Sequence, residues 1–169
     1  VIDGDQNLRT KVKGDILVNV AGTQFGKNSS LYGAGYSLDD TGTVITHSAL
    51  EGNVRVAQSA GILEKLAGGF KVESFADPYN NQAFNGQNKA DVIGNVFIDI
   101  KGGSVRNLFG GSYVTVDKAV LKDDNEGMSA SSTMTGNTAI NISGGTVGNV
   151  YGGGYTSVSN TSGVGTVSA

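Results

Sequence analysis

The 169-residue sequence contains no cysteine and no tryptophan, and its one proline is Pro78. Without Cys, a disulfide scaffold and a Cys-ligated zinc or iron–sulfur site are excluded. Collagen is excluded too, because the glycines do not recur every third residue and proline is nearly absent. No apolar run approaches the ~20 residues of a membrane-spanning helix. Charge is scarce, with 12 Lys and Arg against 15 Asp and Glu for a net charge of −3. The basic residues are scattered apart from Arg9, Lys11 and Lys13, so the basic face of a nucleic-acid binder is lacking. The chain opens at Val1 with neither an initiator Met nor a signal peptide, which reads as a mature product or a segment of something longer. A polar chain without thiols suits export from a bacterium.

Glycine is abundant, with 27 residues against a usual share of ~7%. Self-comparison shows why. Residues 94–116 read GNVFIDIKGGSVRNLFGGSYVTV and residues 136–158 read GNTAINISGGTVGNVYGGGYTSV, with 12 of 23 positions identical at an offset of 42. A third copy, 52–74, keeps Gly52, Asn53, Val54, Gly61, Leu66, Gly68, Gly69 and Val72. A fourth begins at Gly14, and its YGAGY (32–36) matches YGGGY (151–155) after a stretch three residues longer. The whole chain, 1–169, reads as one repeat domain with coils beginning near 14, 52, 94 and 136.

Each copy alternates in strand fashion. Val96, Ile98 and Ile100 interleave with Phe97, Asp99 and Lys101, a period of two that buries one face. Even ILEKLAG (62–68), the one stretch with helical flavour, aligns with strands. The segments 37–51, 75–93 and 117–135 do not resemble one another and read as variable loops. Three strands and a loop per copy describe a coil of a right-handed parallel β-helix, an all-β solenoid of about four coils. A β-propeller is the alternative, although the Trp-Asp and Gly-His signatures of its blades are missing; a three-sided β-prism is a further one. Stacked at a rise of ~4.8 Å, equivalent residues fall into columns. Val18, Val56, Ile98 and Ile140 make an inward column, as do Leu31, Leu66, Leu108 and Val150. Asp15, Asn53, Asn95 and Asn137 make an asparagine ladder, with Asn expected to accept left-handed backbone angles, and Asn107 and Asn149 make another. The glycine pairs at 68–69, 110–111 and 152–153 mark a corner where a side chain would collide.

The motif I-x-I-x-G-G-T-V-x-N-V-Y-G-G-G-Y (140–155) resembles Gly-rich repeats of large bacterial surface proteins, the adhesins and autotransporter passengers. The resemblance covers 14–36, 52–74, 94–116 and 136–158. Residues 52–74 depart from it, with Ala60-Gly61 for Gly-Gly and Ala67 for the aromatic. It implies an exported, solenoidal, mostly non-catalytic protein of adhesion or stalk type.

Chemistry-bearing motifs are few. His47 has neither a second His nor a Cys to complete a metal site, and reads as a surface or locally bonded histidine. No G-x-S-x-G elbow or phosphate-binding G-x-x-x-x-G-K-[ST] occurs. Asp3-Gly-Asp5-Gln-Asn7 has the first oxygen positions of an EF-hand loop but lacks its Gly and Glu, and Asp123, Asp124 and Glu126 read as a solvated acidic turn. Many β-helices cleave polysaccharides, yet the outward row Asn19, Ala57, Asp99, Asn141 holds one carboxylate, and Glu64 with Arg106 reads as a surface ion pair. An enzyme reading therefore rests on fold analogy. The better lead for binding is the column Tyr36, Lys71, Tyr113, Tyr155, where Tyr36, Tyr113 and Tyr155 form a candidate glycan-stacking surface. Packing on the Gly corners is the plainer reading, and more so for Tyr32, Phe109 and Tyr151. The expected role is a non-enzymatic, extracellular repeat module without a cofactor. Its expected partners are flanking repeats, an end-to-end second copy, or a glycan or host-surface ligand. A self-associating filament or surface-layer subunit and a carbohydrate-active enzyme are the alternatives. The run VSNTSGVGTVSA after the fourth copy looks like the start of another coil, with no capping element.

Overall fold

A computed structural model describes residues 8–22, 28–39, 45–75, 86–117, 128–159 and 167–168. These residues form a parallel β-helix with four walls. The first coil runs through β1 (Leu8–Lys13), β2 (Ile16–Val20), β3 (Ser30–Tyr32) and β4 (Gly35–Asp39). The second runs through β5 (Ile45–Glu51), β6 (Val54–Gln58), β7 (Ile62–Ala67) and β8 (Phe70–Phe75). The third comprises β9 (Gln87–Ile93), β10 (Val96–Ile100), β11 (Ser104–Phe109) and β12 (Tyr113–Asp117). The fourth comprises β13 (Ser129–Ser131), β14 (Thr138–Ile142), β15 (Thr146–Tyr151) and β16 (Tyr155–Ser159), and β17 (Val167–Ser168) begins a fifth turn. The walls are β1-β5-β9-β13-β17, β2-β6-β10-β14, β3-β7-β11-β15 and β4-β8-β12-β16, each wholly parallel.

The sequence columns are the register. Val18 pairs with Val56, Val56 with Ile98 and Ile98 with Ile140, and Leu31, Leu66, Leu108 and Val150 follow one another on the third wall. Val54, Val56, Leu66, Val72, Val92, Ile98, Ile100 and Leu108 are sealed in a core that runs along the coil axis. Such burial, at ~25 cal/mol per Å² of apolar surface, is the main force holding coil on coil.

One expectation is corrected. The segments 37–51, 75–93 and 117–135 are not simply loops: Ile45–Glu51, Gln87–Ile93 and Ser129–Ser131 are strands of the first wall, one more than the three strands per coil expected, in register at the 42-residue spacing. Leu50, Ala90, Val92 and Ala130 on that wall are buried in the same core. A buried polar centre also belongs to it. Asn88 Oδ1 accepts from Ser37 Oγ and Thr46 Oγ1, both at 2.6 Å, while Asn88 Nδ2 donates to the Ser37 and Glu73 carbonyls at 3.0 and 2.8 Å. With its donors and acceptor used, Asn88 is tolerated inside. The acidic segments at 3–7 and 123–126 lie outside the described residues.

The glycine corners divide into two kinds. Gly61, Gly103 and Gly145, at the turn into the third wall, have φ of 90°, 80° and 79°, where an L side chain is strained. Among the described residues, the left-handed angles at this corner thus fall to glycine. Gly68 and Gly110 are constrained by the next coil instead: a Cβ on Gly68 would strike Val96 and the Gly110 carbonyl, and one on Gly110 would strike Thr138 and the Gly152 carbonyl.

Candidate functional site

Six aromatic residues gather where the third wall turns through the glycine pair into the fourth strand of each coil. Tyr32, Phe109 and Tyr151 end β3, β11 and β15, and Tyr36, Tyr113 and Tyr155 lie at or near the start of β4, β12 and β16. Parallel pairing places Tyr36 beside Lys71, Lys71 beside Tyr113 and Tyr113 beside Tyr155. The column therefore exists as read, but Lys71 separates Tyr36 from the other two rings.

Most of these rings have one face occupied. Tyr113 and Tyr155 stack at 4.5 Å with 14° between their planes, and Phe109 and Tyr151 stack at 4.9 Å and 10°. Phe109 also presents an edge to Tyr113 at 5.5 Å and is itself buried. Lys65 Nζ lies 4.9 Å from the centre of the Tyr113 ring, and Lys71 Nζ lies 4.6 Å from that of Tyr36. These are cation–π contacts that take ring faces a sugar would use. Ala67 carries no ring, and Tyr32 stands 6.2 Å from Tyr113, two coils away. What the corner offers to solvent is ring edges, hydroxyls, and the outer side of Tyr151 and Tyr155 at coil four.

Beside this corner lies a charged centre that self-comparison does not reveal. Glu73 Oε2 accepts from Lys71 Nζ at 2.5 Å and from the Tyr36 hydroxyl, and Oε1 accepts from Thr115 Oγ1 at 3.4 Å. Burial alone would raise the Glu73 pKa, but the Lys71 and Tyr36 donors outweigh it and hold the carboxyl below its ordinary range. Burial, reinforced by Glu73, raises the Tyr36 hydroxyl. Desolvation would lower Lys71, yet its bond to Glu73 and the charges of Glu73, Tyr36 and Tyr32 together raise it. A signal was present: Lys71 and Glu73, two apart on a strand, share one face.

The second polar centre is on the first wall. Asp91 Oδ2 lies 3.0 Å from both His47 Nε2 and Lys89 Nζ, and Oδ1 accepts the Thr133 amide at 3.0 Å. Burial would raise Asp91, yet Lys89, His47 and the Thr133 amide together lower it. His47 is thus locally bonded, on a strand and not in a loop. A His–Asp pair supplies two of the three members of a catalytic triad, but among the described residues no hydroxyl bonds the other ring nitrogen. Lys11 and Lys13 pair with Glu51 nearby. No group of three His, Cys, Asp or Glu able to hold a metal occurs among the described residues.

The remaining columns bond coil to coil. Asn53, Asn95 and Asn137 each donate their amide N–H to the side-chain oxygen of Asp15, Asn53 and Asn95, at 2.8, 3.0 and 2.9 Å. Asn149 bonds Asn107 and Asn141 bonds Asp99, both at 2.9 Å, and Arg106 lies 3.3 Å from Glu64. No family model, curated protein or solved structure matches this chain.

Proposed function

We propose that the chain is a non-enzymatic extracellular repeat module of a bacterial surface protein, a length of stiff shaft of stalk or adhesin type. The observation that carries this reading is how the outward columns are used. The Asn, Tyr and Glu–Arg columns, the residue types a ligand would engage, bond chiefly to the neighbouring coil. A surface so used resists bending, and among the described residues these columns leave few groups free for chemistry. The Gly-rich repeat, with its resemblance to adhesin and autotransporter repeats, supports the address. The test is a glycan array probed with the full chain. Background signal throughout is the expected result. Binding that Tyr36→Ala or Tyr155→Ala abolishes, in variants with unchanged circular dichroism, overturns it.

A second reading is favoured by the exposure of Tyr36 (52%) and Tyr155 (37%). In it, the same corner holds a glycan through ring edges and hydroxyls, and the array separates the two.

A further inference from the structure

We infer that the open side of coil four is a docking seat for the first coil of a second copy of this chain, stacked head to tail. The inference uses only coil-to-coil contacts and stands independently of the shaft reading. Among the described residues, β14, β15 and β16 pair on one side alone, with β10, β11 and β12. Their outer edges carry unpaired backbone groups, a ready template for a further strand. Natural edges are commonly blunted by charge, yet the sequence has no charged residue after Glu126.

The seat repeats an interface already built three times in the chain. Inside, the glycine at 33, 68 or 110 lies against the backbone carbonyl of the glycine one coil on, at 68, 110 or 152. Among the described residues a Cβ at Gly152 or Gly153 would meet nothing within 4 Å, so their contacts do not demand glycine there. A following coil would. Beside them lies an open groove of about 400 Å³, lined by Gly111, Ser112, Thr138 and Gly152–Gly154 among others. The side-chain oxygen of Asn137 also accepts nothing among the described residues, whereas those of Asp15, Asn53 and Asn95 each accept the next coil's amide.

Coil one carries the matching groups in the matching columns. Its Asp15 amide takes the ladder position opposite Asn137, Gly33 comes over Gly152, and Tyr32 and Tyr36 come over Tyr151 and Tyr155. Continuing the first wall's register sets Val12 of the second copy over Met134. β17 pairs with Ala130 and Ser131, the positions that the second copy's Leu8 and Arg9 would take, and so competes with the stack.

Sedimentation equilibrium of the full chain tests this. The average mass is expected to rise above 17.2 kDa with concentration. Gly152→Val should weaken that association by about tenfold or more, with circular dichroism and melting temperature unchanged. Gly152→Ala serves the same purpose should the valine variant misfold. A single 17.2 kDa species up to about 1 mM overturns the inference and leaves the seat to another occupant. Association that neither variant weakens overturns it equally, by placing the contact elsewhere.

Discussion

Leu108 and Val150 stand one coil apart in the same inward column, as do Ile100 and Ile142. In coil three both residues are fully buried; in coil four Val150 is 49% and Ile142 44% exposed. The side chains are of the same kind and the strands have the same register. What differs is the presence of a following layer. In a solenoid each coil is covered chiefly by its neighbours, so burial belongs to the interface between coils and not to the residue alone. Among the described residues, coil three has two such interfaces, and coil four has one besides the short pairing of β13 with β17.

The largest test of that contrast is a buried charge. Ile98→Asp places an unpaired carboxylate between Val56 and Ile140 and should abolish folding, because its desolvation cost rivals the whole stability of ~5–15 kcal/mol. Ile142→Asp, beside the open end, should leave a folded chain. Far-UV circular dichroism of the two variants decides it, and equal damage would break the contrast.

Next come truncations in the other column. Leu108→Ala should cost about 2–5 kcal/mol in urea denaturation, and Val150→Ala less than ~1 kcal/mol. Similar costs would mean that coil four is as closed as coil three.

A smaller effect is expected in acid. Asp91 and Glu73 are held below their ordinary values in the folded chain, so the stability they contribute is present above the usual carboxylate range. It is lost as pH falls through their folded values, from about pH 4 downward. Lys71, being raised, contributes below its ordinary range, and that contribution is lost only at strongly alkaline pH. Asp91→Asn and Glu73→Gln should therefore flatten the fall in melting temperature between about pH 4 and 2. An unchanged acid limb would remove both carboxylates from the coil-to-coil bonding. Least of all, Arg106→Ala should cost under ~1 kcal/mol, as the Arg106 side chain is largely exposed beside Glu64.

Much of this architecture was legible because a constant offset turns sequence columns into spatial ones. The inward rows through Ile98 and Leu108, the Asn53–Asn95–Asn137 ladder, the Glu64–Arg106 pair and the Tyr113–Tyr155 neighbours all lie where spacing put them. The first wall was not legible. In QNKADVI (87–93) the inward positions are Asn88, Ala90 and Val92, which show no apolar alternation. Asn88 is acceptable inside only because Ser37, Thr46 and the Glu73 carbonyl meet it from other strands. Self-comparison aligns like with like and cannot show such unlike partners. The same limit hid the Tyr36–Lys71–Glu73 centre. It also left open whether the tyrosines face a ligand or one another, since the sequence places rings in a column without giving their planes.

Amide hydrogen exchange, residue by residue and at two protein concentrations, tests most directly the claim that the coil interface governs burial and that coil four is an empty seat. Dilute, the amides of Val96–Ile100 and Ser104–Phe109 should exchange only by global unfolding. Those of Thr138–Ile142 and Thr146–Tyr151 should exchange far sooner, and slow toward coil-three rates as the chain is concentrated. Equal protection of both coils in dilute solution, or a coil four that stays labile at every concentration, would contradict it.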